Sequence, residues 1–255
     1  MNKIVKLIAL DNLRGRVVIL YFLILAVMSL TSVMLQDNAS KATLTVLNIT
    51  LFVVPLMALC YPVIYLYNSH EFLVMLLSQP VRRSQLWRSF YLGVSGGLLS
   101  AYLLATGVPA LLFLPSRLSL MLIIAGSAVT LSFVSLAFLI TMFTSDKARG
   151  IGAALLLWLC FTMIWDSVCL YIMFMFEDWP IEKPVMALLM LNPLDLARFQ
   201  VILQTDAAAM MGYSGAAFKD FLGAAGGMVS SVILLLFWII LPFLWSAQKF
   251  SKKDL

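Results

Sequence analysis

Few side chains in this sequence are equipped for chemistry, and they lie far apart. The only histidine, His70, stands beside Glu71. An adjacent imidazole and carboxylate could serve as base and acid, but a single histidine cannot supply the paired ligands of a metal site. Because the pair precedes a chain break at Ser78-Gln79-Pro80, a hydrogen-bonded structural pair is the simpler reading. Asp166 lies inside the apolar run from Leu157 to Ser167. A carboxylate there is costly and marks function by default, unless a neighbour such as Thr162 or Ser167 satisfies it. The 15 methionines raise a copper reading, since thioethers are soft ligands. Met173, Met175, Met210 and Met211 are its best-placed candidates. Methionine in apolar helices usually fills gaps, so no metal is assigned. Cys60, Cys160 and Cys169 are odd in number and form no C-x-x-C, which fits packing residues better than a disulfide or zinc framework.

Motifs of catalysis are missing. There is no H-E-x-x-H, no G-x-S-x-G and no G-x-x-x-x-G-K-[ST], so the chain carries no P-loop for ATP. We expect a non-enzyme that binds no cofactor of its own.

The elements that must position these residues are apolar helices. Of 255 residues, 63% are hydrophobic and 11% charged, with a mean hydropathy of +1.02. A soluble domain carries about a quarter charged residues, so this is an all-α, polytopic membrane protein built as one domain over 1–255. Six runs reach the roughly 20 apolar residues of a spanning helix, near 17–35, 44–67, 89–114, 118–143, 150–176 and 226–247. With the N-terminus inside, twelve lysines and arginines fall on inner segments and five on outer ones. That bias puts both termini in the cytoplasm, and it explains the net charge of +5 without nucleic acid.

Three connecting segments have more structure than loops need. At the N-terminus, Met1, Ile4, Val5 and Ile8 oppose Asn2, Lys3 and Lys6, which predicts an interfacial helix in the headgroup plane within 1–16. Asp11-Asn12 interrupts its pattern. Between the second and third spans, 68–83 reads as a short cytoplasmic helix broken at Pro80. Its Phe72–Leu77 core is too short to span, and Glu71, Arg82 and Arg83 flank it. Before the sixth span, 177–225 alternates acidic residues with the apolar stretch Val185–Leu191. Within it Asn192 suits a helix cap, Pro193 a first helical position and Asp195 a first turn. Leu194, Ala197, Val201 and Ile202 would line one face. We expect short helices dipping into the outer leaflet where protein covers their backbone. Gly212-Tyr213-Ser214-Gly215 reads as a turn before the last helix.

Small residues recur every fourth position at Gly93, Gly97, Ala101 and Ala105, and again at Gly223 and Gly227. Such rows let helices approach closely in lipid. The first row is expected to pack within the chain.

This plan resembles the permease subunits of type-2, exporter-like ABC transporters. Their element after the second span reads as an acid, then Leu-Leu-Ser-x-Pro, then a base. Here Glu71, Leu76-Leu77-Ser78-Gln79-Pro80 and Arg82-Arg83 correspond, although apolar residues replace the family's Gly-Thr. Within that family, Leu191–Arg198 and Met211–Gly215 resemble the NosY-type permeases, which serve maturation of the copper–sulfur centre of nitrous oxide reductase. The resemblance implies a homodimer in the bacterial inner membrane, a cytoplasmic NosF-type ATPase pair holding ATP and Mg, and a periplasmic NosD-type partner. It implies that His70, Glu71, Leu76, Leu77, Pro80, Arg82 and Arg83 couple to the ATPase. Asn192, Pro193, Asp195 and Arg198 would meet the periplasmic partner, and Asp166 is the intramembrane candidate. An exporter of a lipid, peptide or drug is the alternative within the family. A membrane-embedded enzyme predicts convergent polar groups in the spans, of which the sequence offers only Asp166.

Overall fold

The computed structural model describes residues 2–78, 82–176, 182–202 and 212–252. Among these residues every regular element is helical. The chain runs through α1 (Asn2–Arg14), α2 (Arg16–Leu35), α3 (Ala39–Asn68), α4 (His70–Leu77), α5 (Arg83–Phe113) and α6 (Ser116–Phe143). It continues through α7 (Lys147–Met175), α8 (Glu182–Met190), α9 (Pro193–Ile202) and α10 (Gly212–Lys252). Six of these, namely α2, α3, α5, α6, α7 and α10, are long and apolar enough to cross a membrane. They correspond one for one to the six runs read from hydropathy, and they make this a polytopic α-helical membrane protein.

Local chemistry sets several boundaries. Asn38 caps α3 by accepting from the Ser40 N–H at 2.9 Å, as short polar side chains do at helix starts. Gly15, in extended backbone, separates α1 from α2. Pro55 and Pro62 sit inside α3 without ending it; packing neighbours tolerate proline in such helices. Two outcomes differ from the sequence reading. The Asp11-Asn12 pair does not break α1, which runs on to Arg14, because Asn12 is fully buried among partners described below. Residues Gly212–Gly215 open α10 instead of forming a turn. Two glycines cost a helix about 1 kcal/mol each, less than unsatisfied backbone polar groups cost away from water.

The bundle is centred on α6, the most buried span, which packs along both α3 and α10. Tyr102 of α5 reaches α6, donates to the Leu122 carbonyl at 2.9 Å and occupies the notch at Gly126, where a Cβ would collide with its phenol. At the end of the bundle that carries α4, Trp87 of α5 stacks on Phe250 of α10 at 4.3 Å, meets the edge of Phe138 at 5.0 Å, and donates to Ser246 Oγ at 3.1 Å.

The small-residue row of α5 is used within the chain, as expected. A Cβ on Gly93 would lie 2.5 Å from Ile8 Cγ2, and one on Gly97 would lie 2.9 Å from Asn12 Cβ. Helix α1 therefore lies directly on α5. Ser29 of α2 donates to the Ala105 carbonyl at 2.8 Å further along the same row. The second row, Gly223 and Gly227, lies within α10.

Two spans carry one wider π turn each, Leu103–Gly107 in α5 and Cys160–Ile164 in α7. Such turns shift a carbonyl off the regular hydrogen-bond ladder and cluster at functional sites.

Candidate functional site

Polar side chains converge where α9 meets α7. The start of α9 is built as the sequence predicted. Asn192 Oδ1 accepts from the Leu194 N–H at 3.0 Å, Pro193 takes the first helical position, and Asp195 stands in the first turn. Leu194, Ala197, Val201 and Ile202 are all buried, but so are Leu196, Phe199 and Gln200. Helix α9 is thus enclosed on every side, packed against α10, α6, α8 and α3.

Asn192 does more than cap. Its Nδ2 donates to the Phe161 carbonyl at 3.1 Å and to Asp195 Oδ2 at 2.9 Å. Phe161 is the middle residue of α7 and belongs to its π turn. The apex between α8 and α9 therefore sits beside the midpoint of a spanning helix, roughly 21 Å from either end at about 1.5 Å per residue. Trp165 of α7 holds α8 as well, donating to the Leu188 carbonyl at 3.1 Å.

Arg198, one turn after Asp195, completes the cluster. Its Nη1 lies 3.2 Å from Asp195 Oδ1 and 3.5 Å from Asp166 Oδ2. One guanidinium thus joins a carboxylate of its own helix to one on α7. Asp195 is buried, whereas the Asp166 and Arg198 side chains are 36% and 32% exposed. The pairing answers the question posed by a carboxylate in a span: charges inside a membrane protein pair with one another. The same-helix partners expected for Asp166 are engaged elsewhere. Thr162 Oγ1 donates to the Trp158 carbonyl and Ser167 Oγ to the Met163 carbonyl. The sequence could name Asp166 and Arg198 separately, but 32 residues apart nothing local joins them.

Cavities of about 160 and 190 Å³ flank this ion pair. Met173 and the buried Cys169 line the larger one. Met175 is exposed, and Met210 and Met211 lie outside the described residues. No group of three or more His, Cys, Asp or Glu suited to a metal occurs among the described residues.

The residues expected at an outer partner are placed inward. Asn192, Pro193 and Asp195 are buried in the chain itself, and Arg198 is tied to two carboxylates. Asn192 and Arg198 join α9 to α7.

At the other end of the bundle, α4 follows α3 directly. Leu73 and Leu76 are buried, Phe72 and Leu77 pack partly on the core, and Phe72 meets Phe90 at 6.2 Å. His70, Glu71, Val74 and Met75 face outward. Leu76 therefore seats the helix, and Val74 and Met75, which the sequence reading passed over, share the free face with Glu71. Arg82 and Arg83 are exposed; Pro80 lies outside the described residues. The last turn of α3 is stitched to its neighbours. Tyr67 Oη donates to the Thr144 carbonyl at 2.9 Å, and Lys147 Nζ of α7 donates to Asn68 Oδ1 at 2.7 Å. Close by, Asn12 of α1 donates to the Gly93 carbonyl at 3.4 Å and accepts from Tyr61 Oη at 2.5 Å.

The molecule is thus a six-span helical membrane protein with the short helix α4 seated at one end and a buried helix, α9, ion-paired to α7. No family model matches the chain. It is 32% identical over 186 residues to the protein named "Probable ABC transporter permease protein NosY" of Pseudomonas aeruginosa, an alignment covering 68% of this chain and 67% of that protein. The chain belongs to the ABC-transporter permeases.

Proposed function

We propose that this chain is the membrane-spanning permease of an export-type ABC system and takes its energy from a separate pair of cytoplasmic ATPase subunits seated on α4. The build of α4 carries the reading. It is rooted by Leu73 and Leu76 and presents Glu71, Val74 and Met75 outward. An amphipathic helix of this kind fits a groove on a partner, with Arg82 and Arg83 beside it. Motion imposed on α4 passes to the end of α3, and through Asn68 and Lys147 to α7. The far half of α7 bears Asp166.

The basic-residue bias supports a cytoplasmic side for α4 and both termini, and the likeness to a bacterial permease supports a bacterial inner membrane. Helices α8 and α9 then form a hairpin that enters the bilayer from the periplasmic side, with protein covering its backbone. On the inner side, α1 turns Leu7, Leu10 and Leu13 outward beside the exposed Lys6 and Arg14, which suits an interfacial helix braced on α5.

Within the family we assign the chain to the NosY type, acting as a homodimer with a NosF-type ATPase and a NosD-type periplasmic protein. Its work is export or mechanical signalling that lets the copper–sulfur centre of nitrous oxide reductase assemble. ATP and Mg belong to the ATPase. Purification of the complex from native membranes tests the class: an ATPase and a periplasmic subunit are expected to accompany this chain. Deletion tests the pathway, and nitrous oxide reductase is expected to lose its copper–sulfur centre. An intact centre in the deletion strain would leave an exporter of a lipid, peptide or drug. Glu71→Arg is expected to uncouple ATP hydrolysis from the outer face, and unchanged ATPase co-purification and activity would move the docking site away from α4.

A further inference from the structure

The two cavities beside the ion pair have separate walls. The smaller is bounded by Asn48, Leu51 and Phe52 of α3 and by Thr162, and the larger by Cys169 and Met173 of α7 and Leu189 of α8. Asp166 and Arg198 alone line both. The ion pair is therefore the wall between them.

That wall is built from unequal bonds. Arg198 and Asp195 share one helix and lie three residues apart, whereas Asp166 belongs to another helix and is held at the longer distance of 3.5 Å. Asp195 is also fixed by Asn192. Separation of α9 from α7 leaves Arg198 with Asp195 and takes it from Asp166. The guanidinium is not fully engaged even now, since its buried Nε has no hydrogen-bond partner. We propose that the Asp166–Arg198 pair is a removable partition within one chamber, and that nucleotide-driven motion opens it, joining the cavities and admitting water to the wall that carries Cys169.

The physical reason lies in what Asp166 loses. An unpaired carboxylate within a span is expensive, and breaking a partly buried pair strands the remaining charge. Joining the cavities makes a polar space roomy enough for waters, which hold such sites only where polar partners are available. The closed arrangement is thus paired, and the open one is wetter and requires work. The proposal rests on the ATP-powered reading above, with Arg198 as a positioning residue.

Cys169 is a native reporter, because it is 4% exposed and lines the larger cavity. The assembled complex with its ATPase is treated from the outer face with a membrane-impermeant methanethiosulfonate, and mass spectrometry resolves which cysteine reacts. Modification of Cys169 is expected to be about tenfold faster during ATP turnover than without nucleotide, the factor for about 1.4 kcal/mol. Asp166→Asn is expected to react fast without nucleotide, and the exchanged pair Asp166→Arg with Arg198→Asp to return to the slow rate. Equal Cys169 rates with and without turnover, while ATP is hydrolysed, would overturn the partition. So would an exchanged pair that stays as fast as Asp166→Asn. The comparison of nucleotide conditions uses the unaltered chain, so a variant that fails to assemble does not decide the matter. Absence of any accompanying ATPase would refute the proposed function instead.

Discussion

Helices α5 and α7 each carry one π turn, and the two turns stand in opposite surroundings. In α5, Ala105, Thr106 and Gly107 are all buried, and the displaced Ala105 carbonyl is met by Ser29 of a neighbouring span. In α7, none of Cys160–Ile164 is buried, and the Phe161 carbonyl is met by Asn192 from the short α8–α9 hairpin. The same backbone irregularity serves as a fixed joint where close packing surrounds it. It serves as an anchorage for a movable part where cavities and an ion pair surround it. Packed cores are bistable and not continuously deformable, so motion belongs at the second turn.

The sharpest way to break that comparison uses one substitution at each joint. Gly126→Ala drives a Cβ into the Tyr102 phenol beside the α5 joint. Overpacking of this kind costs about 1–3 kcal/mol, and thermal unfolding in detergent should show a large drop in midpoint. At the α7 joint, Asn192→Ala removes the α9 cap, the Phe161 partner and a donor to Asp195 together. A cap and a buried hydrogen bond are each worth about 1 kcal/mol. Hydrogen exchange should rise in α9 while α5 and α6 stay protected. Uniformly faster exchange across the bundle would mean that the hairpin is part of the core. Ser29→Ala deletes one hydrogen bond at the buried joint and should lower stability by about 1 kcal/mol, read as a small midpoint shift. Gly152→Ala, where an added Cβ meets nothing within 4 Å, should be neutral or stabilising by up to about 1 kcal/mol. A loss as large as that of Gly126→Ala would show that the exposed face of α7 is packed in the assembly.

Most of the scaffold was legible in the sequence, and most of the site was not. Six apolar runs give six spans because backbone hydrogen bonds in lipid must be met within each segment. The Asn192-Pro193-Leu194-Asp195 helix start was equally readable, since capping is a matter of adjacent residues. Asn12 was read only as an interruption of the α1 pattern. Its burial depends on Gly93, Gly97 and Tyr61, which are distant in the chain. Leu76 was read as part of the docking face and turned inward, because in an eight-residue helix the seat on the bundle decides which side is free.

The sequence by itself determined the class of molecule: an apolar chain without a P-loop, crossing a membrane as helices, with one costly carboxylate in its fifth span. Hydropathy and local caps are properties of neighbouring residues, so they need no fold to be read. Only the tertiary structure decided that Asp166 faces Arg198, that Asn192 answers a carbonyl at the middle of α7, and that the ion pair stands between two cavities. Those relations join residues 31 or 32 positions apart across separate helices, and helix packing alone sets which side chains then meet.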